Sequence, residues 1–444
     1  MKDIVRAVDE NRELILEAER YIWKNPETGY KEVKTNAYLA EKFVSLGYEL
    51  TYADNITGFF TEIDTKKPGP KILVLGELDS VICPSHPEAD AATGAVHSCG
   101  HNAQSATLLG VAAALKDESV TKELCGKIML CAVPAEEMIE LEYRSKLIEK
   151  GIIKYFGGKC EFLHRGYFDG VDIAFMVHHA KTSCALGGAV GILAKNITYK
   201  GTAAHAGGSP WSGCNALYAA TCGINAVNAI RETFRDSDLI RFHPIITNGG
   251  SIVNAIPEQS IIETYVRGRS YDAILSANKR IDRALIGAAL SLNNNIDIKD
   301  QPGYAPLYND RNLMNIVKES YEALVPGSVY PVSPNQITTG STDMGDLSCI
   351  MPVVHPYIGG ATGTDHGCDY QISDPELACV TNAKLHLMIL KKLLENDATE
   401  AKRVIAEAKP PFASKEDYLA YIDGLNRCGD RIIYDGAEAR VILE

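Results

Sequence analysis

Lys127-Ile128-Met129-Leu130-Cys131-Ala132-Val133-Pro134-Ala135-Glu136-Glu137 is an apolar run that stops at two adjacent carboxylates. Its apolar residues do not alternate with polar ones. That marks a strand covered on both faces, as in a parallel sheet. Comparable runs occur at 71–76 (KILVLG) and at 172–177 (DIAFMV). Helical patterns separate them. Residues 3–24 carry apolar positions at helical spacing, 33–46 form an amphipathic stretch closed by Gly47, and 103–115 and 138–151 follow the same logic. Short apolar strands alternating with helices predict an α/β fold with a mainly parallel central sheet flanked by helices.

The pattern changes near residue 186. An alternating strand at 192–199, a long helix at 213–233, a strand at 261–267 and a helix at 271–292 predict an inserted α+β sandwich. The Asn/Pro/Gly-rich stretch 293–306 (NNNIDIKDQPGYAP) reads as the connection back. The expected division is therefore one domain from 1–187 and 303–444, with 188–302 inserted.

Composition narrows the function. Of 444 residues, 46% are hydrophobic and 23% charged, which suits a globular chain. A net charge of −13 repels phosphate backbones, so nucleic acid is not an expected partner. No apolar run approaches the roughly 20 residues needed to cross a bilayer. The charged N-terminal stretch lacks the apolar core of a signal peptide, so no membrane association and a cytoplasmic location are expected. Twelve cysteines with no CxxC pair read as small buried thiols in a reducing compartment.

The polar residues that follow the apolar runs suggest chemistry. Asp79 follows the first run, Glu136 and Glu137 the second, and His178 and His179 the third. His97, Cys99 and His101 sit in a loop just before a helix. In an open parallel sheet the C-terminal strand ends line one edge, where ligands bind, so these groups can converge. Cysteine, histidine and glutamate together form a transition-metal ligand set. Gly100 allows the tight turn that lets Cys99 and His101 face one ion. Adjacent carboxylates permit a division of labour, one ligating metal and the other taking a proton from water. A cysteine nucleophile paired with His101 is the competing reading, but no orienting acid is evident beside it.

The strings 25–30 (NPETGY), 98–102 (SCGHN, within HSCGHN), 134–137 (PAEE), 201–217 (GTAAHAGGSPWSGCNAL), 249–257 (GGSIVNAIP) and 340–346 (GSTDMGD) resemble the amidohydrolase/carboxypeptidase family. That family includes aminoacylases, auxin-conjugate hydrolases and p-aminobenzoyl-glutamate hydrolases. Within the family, 99–102 (CGHN) and 340–346 (GSTDMGD) resemble the p-aminobenzoyl-glutamate hydrolase and dipeptidase-like branch, and Asn102 and Gln104, where the auxin-conjugate branch usually has Asp and His, speak against simple aminoacylase substrates. The resemblance implies two divalent ions, Mn2+ or Zn2+, with Co2+ or Ni2+ also compatible. It implies Cys99 as bridging ligand, His101, Glu137, His178 and His366 as terminal ligands, and Glu136 as general base. His179 is the reserve for His178, and Asp79 would orient a ligand. In the insert it implies a lid and dimerisation role, with His205 polarising the scissile carbonyl and Asn254 and Arg267 binding substrate. An Arg suits a carboxylate because its planar fork donates two parallel hydrogen bonds. The expected activity is hydrolysis of N-acyl or N-aroyl amino acids resembling p-aminobenzoyl-glutamate, by a homodimer acting on small amides with a free carboxylate. Dipeptides or simple N-acyl amino acids are the alternative substrates. A non-catalytic metal-binding relative is the alternative from another class.

Overall fold

In a computed structural model, which describes residues 1–443, the three apolar runs become neighbouring strands of one sheet. The first unit comprises Met1–Gly188, Leu307–Thr338 and Thr342–Lys415. Its strands are β1 (Thr51–Tyr52), β2 (Phe59–Asp64), β3 (Lys71–Glu77), β4 (Lys127–Val133) and β5 (Ile173–Phe175). They lie in the order β1-β2-β4-β3-β5, followed by a two-residue strand, Val353–Val354. From β4 to that last strand all neighbours are parallel, while β2 runs antiparallel to β4. Gly76 pairs with Ala132 and Glu77 with Val133, so β3 and β4 end side by side.

The helix His101–Ala114 is buried along its whole length. Its small residues allow close approach: a Cβ at Gly110 would sit 2.6 Å from the Ile15 side chain. The core joins Ile72, Val74, Leu108, Ile128, Leu130 and Ile389, each side chain worth about 1.5–3 kcal/mol of burial. The helical pattern expected over 3–24 forms two helices, Lys2–Asp9 and Arg12–Trp23.

The second unit comprises Ala189–Pro306, Thr339–Ser341 and the chain from Glu416 onward. It holds an antiparallel sheet of β6 (Gly191–Lys200), β7 (Arg241–Phe242), β8 (Ile245–Asn248), β9 (Gln259–Gly268) and β10 (Asn295–Pro302). β6 lies between β9 and β10, and β7 and β8 both pair with β9. The helices Ala216–Ile230 and Tyr271–Ser291 bury Ala220, Ile281 and Leu285 with Ile197, Ile262 and Ile298 of the sheet.

Two expectations are corrected here. Most of the stretch 293–306 is not a connection, because Asn295–Pro302 is strand β10 with Ile296 and Ile298 in the core. The chain from Glu416, expected in the first domain, belongs to the second unit, where Leu425 and Ile432 join its core. Among the described residues no helix is long and apolar enough to cross a membrane.

Candidate metal centre

Three backbone devices bring the polar residues together. Beyond β4 the chain turns at Ala135, whose φ of 57° is left-handed and costs a residue with a Cβ about 1–2 kcal/mol. The turn is held by a hydrogen bond from Ala135 N to Glu32 Oε1 at 2.8 Å, and it leaves both Glu136 and Glu137 buried. Gly100, at φ 85°, starts the helix that carries His101. His366 is also left-handed, at φ 59°, and its N–H donates to Ser98 O at 2.8 Å. That bond seats a residue from late in the chain against the His97–His101 loop. Strained positions of this kind concentrate at functional sites.

Asp79 ties the strand ends together. Its Oδ2 accepts from Glu137 N at 2.8 Å, and its carbonyl accepts from His101 Nδ1 at 2.9 Å. The second bond puts the His101 proton on Nδ1 and leaves Nε2 as the donor atom. His178 is fixed in the same way. Its Nδ1 donates to His179 O at 2.8 Å, and Nε2 lies 3.5 Å from Cys99 Sγ. His366 Nε2 lies 3.1 Å from Glu137 Oε1. His179 turns elsewhere, with its Nε2 bonded to Ala378 O at 2.8 Å. Three donor groups result, each with its atoms within 4.8 Å of one another: Cys99–His101–His178, Cys99–Glu137–His366 and Glu77–His101–Glu136.

The titrating groups of the site shift one another strongly. Burial and the Glu137 carboxylate push the Cys99 thiol up, but His101 and His178 beside it outweigh them and bring it down to about 6. Burial also opposes ionisation of Glu137, yet His366 prevails and holds it down to about 2. Glu137 in turn raises His366 to about 11. Burial, with Glu77 and Glu137 nearby, pushes Glu136 well above the usual carboxylate range. A carboxyl in that field accepts a proton readily.

Asp79, Cys99, His101, Glu136, Glu137, His178 and His366 are thus gathered at one strand edge. Other residues there escaped the sequence reading. Glu77 ends β3 with its side chain fully buried, Oε2 lying 3.1 Å from His101 Nε2. Lys159 and Asp343 are buried beside it. His355 is buried with its ring 5.5 Å from that of His178. A charged residue ending an otherwise apolar run was the available signal for Glu77.

His205, Asn254 and Arg267 belong to the second unit. There Ala206 N donates to Asn254 O and Ile256 N to Ala204 O, both at 2.9 Å, so the loops carrying His205 and Asn254 pair. His205 Nδ1 accepts from Gly208 N at 2.9 Å, which leaves its proton on Nε2. Arg267 Nη1 donates to Ser341 Oγ at 3.2 Å.

A mouse Xaa-Arg dipeptidase is 28% identical over 370 residues, covering 81% of this chain and 79% of its own length. One of the p-aminobenzoyl-glutamate hydrolase polypeptides of Escherichia coli is 26% identical over 346 residues, covering 73% and 65%. The fold matches that of a dinuclear metal binding peptidase from Bacillus subtilis, with a TM-score of 0.64, 20% identity, and coverage of 87% of this chain and 99% of that one. The family model of peptidase family M20/M25/M40 matches residues 73–391. That span includes both strand ends, the Cys99 loop and His366, and the chain belongs to this family of metallopeptidases and amidohydrolases.

Proposed function

We propose that the protein hydrolyses an amide bond whose nitrogen side carries a free carboxylate, using two divalent ions. The observation that carries this reading is that two donor groups share one sulfur. Cys99 belongs with His101 and His178, and also with Glu137 and His366. The residues fit such ions. His101 Nε2 and Glu137 Oε1 are buried without a hydrogen-bond partner, and thiolate, imidazole and carboxylate suit Mn2+ or Zn2+, with Co2+ or Ni2+ as alternatives. When bound, the ions supply Lewis-acid chemistry: they acidify water and polarise the scissile carbonyl. Glu136 takes the proton of the attacking water and returns it to the leaving amine. Asp79 keeps His101 in the tautomer that ligates. The roles of His205 at the oxyanion and of Asn254 and Arg267 at the substrate carboxylate rest on the family resemblance.

N-acyl or N-aroyl amino acids resembling p-aminobenzoyl-glutamate meet this chemical requirement, and so do dipeptides. The Escherichia coli relative's name supports the first class and the mouse relative's name the second. Homodimerisation through the second unit is part of the proposal. Trp211, Tyr218, Ile245, Ile252 and Val253 there are exposed apolar side chains that a partner copy would cover. The proposed division of labour is a metal-binding first unit and a lid and dimerisation second unit, the larger part of which, Ala189–Pro306, is inserted in the first. A thiolate ligand also suits the reducing cytoplasm.

The test is turnover of p-aminobenzoyl-glutamate, acyl amino acids and dipeptides by metal-stripped protein, with each metal added back. Activity should return with metal on substrates that have the free carboxylate and be absent on their esters. Glu136→Gln should retain metal and lose about 10³-fold or more in kcat. Turnover near the unmodified level in that variant would remove Glu136 as the base.

A further inference from the structure

We propose that Glu77 is a carboxylate of the metal centre itself, and that Lys159 is the positioning residue that holds it there. Retention of one ion then depends on a buried ammonium that touches neither ion nor substrate. The inference rests on the two-ion reading above and adds to it a residue that the resemblance did not supply.

Glu77 divides its two oxygens. Oε1 accepts from Lys159 Nζ at 2.6 Å. Oε2 has no hydrogen-bond partner, although the side chain is fully buried, and it lies 3.1 Å from His101 Nε2. The Nδ1 of that histidine is already committed to Asp79. Glu136 Oε2 lies 3.9 Å from the same His101 nitrogen. A carboxylate oxygen left bare in the interior is costly unless a cation faces it. Glu77, His101 and Glu136 together surround the place such a cation would take.

The charge count points the same way. Lys159 is fully buried, and its ammonium lies between Glu77 and Asp343. One positive charge faces two negative ones, so the Lys159 cluster alone leaves a negative charge unbalanced. The only bare oxygen through which Glu77 can express it is Oε2, on the His101 side. Lys159 is also fixed in place. Its N–H donates to Asp343 Oδ2 at 2.9 Å, and at the preceding Gly158 a Cβ would overlap the Pro134 carbonyl. The start of the helix Gly158–His164 is therefore pressed against the end of β4, and the ammonium is held at the end of β3.

The experiment reconstitutes metal-stripped full-length protein with Co2+. It reads stoichiometry, affinity by chelator competition, and the visible spectrum. Unmodified protein should take two Co2+ per chain. Glu77→Gln keeps the side chain's shape and its contact to Lys159 but removes the charge. It should weaken one Co2+ by about tenfold or more and shift the ligand-field bands, while the Cys99 thiolate-to-cobalt band persists. Lys159→Gln should show the same loss, and the double variant should be no weaker than the worse single one. If Lys159→Gln does not fold, Asp343→Asn takes its place. That variant removes the carboxylate that anchors the ammonium from the other side, so Glu77 should lose its fixed position and Co2+ should again bind several-fold more weakly.

Unchanged affinity and bands in Glu77→Gln would overturn the assignment of Glu77. Additive losses in the double variant, or unchanged affinity in Asp343→Asn, would overturn the role of Lys159. If unmodified protein binds no Co2+, the two-ion reading falls and this inference falls with it. If unmodified protein and Glu77→Gln both bind two ions equally well, only this inference falls.

Discussion

Asn102 and Glu19 show how one buried polar residue answers another. The Asn102 amide donates to Glu19 Oε1 at 2.7 Å, and both side chains are buried. A carboxylate at 102 would face a second carboxylate instead. Burial pushes Glu19 up to about 7 from an ordinary value of 4.5. Below that ordinary value the folded and unfolded chains both hold the proton, and Glu19 costs nothing. As pH rises toward 7 the unfolded chain releases its proton while the folded chain keeps it, so stability falls. Above 7 the loss is constant. Glu19→Gln keeps the acceptor and removes the titration. Its thermal unfolding should match the unmodified protein below pH 4.5 and exceed it at pH 8 by on the order of 2 kcal/mol. An equal gain at both pH values would contradict this account. At this scale, the candidate residues readable in sequence were those that follow an apolar run or sit in a compact motif, such as Glu137 or Cys99. Glu77 offered only the weak signal of a charge ending an apolar run, and Lys159 and Asp343 offered none, because a charged residue at a strand end or helix start normally meets water. Only the register of β3 beside β4, with the Gly158–His164 helix pressed on the end of β4, takes that water away.

Strand β10 illustrates the same limit one level up. The buried runs β3, β4 and β5 were legible because their apolar residues follow one another without polar interruption. In β10 only Ile296 and Ile298 carry the alternation, among Asn, Asp, Lys and Pro. Its next inward position is Asp300, which contradicts an apolar face. The structure resolves the conflict with a cation from the neighbouring strand. Lys195 of β6 meets Asp300, and its Nζ also lies 2.7 Å from Asp282 Oδ1, while Asn278 Nδ2 donates to Asp300 Oδ2 at 2.8 Å. Such pairing lies between strands and cannot be seen along either one. Lys195→Met should leave two buried carboxylates without their cation and destabilise the second unit by about 3–5 kcal/mol. Hydrogen exchange in β6, β9 and β10 should accelerate accordingly, and adding Asp300→Asn should recover part of the loss. Unchanged protection in these strands would mean that the pair contributes little.

Over the whole molecule the chain alternates between its two units, and its last crossing is the one that composition hides. The expected division assigned everything after the insert to the first unit, the default for a chain that has returned to its sheet. The tail has no long apolar run to argue otherwise, since its contributions to the second core are scattered single residues, Leu425 and Ile432 within it and Tyr421 and Val441 packed against it. Backbone pairing also joins the tail to the unit. Asp300 N donates to Arg427 O and Arg431 N to Ile296 O, both at 2.8 Å, so the tail lies along β10. An edge strand that loses such cover exposes unpaired N–H and C=O groups together with the apolar side chains beneath. Truncation after Lys415 should therefore loosen the second unit and leave the first intact. In hydrogen exchange, amides of β10 and β6 should lose protection, while those of β3, β4 and the helix His101–Ala114 stay as slow as in the full chain. Metal binding by the first unit should survive the same truncation, because its proposed ligands all precede residue 367. If β3 and β4 lost protection first, the tail would have to be holding the first unit, against the division seen here.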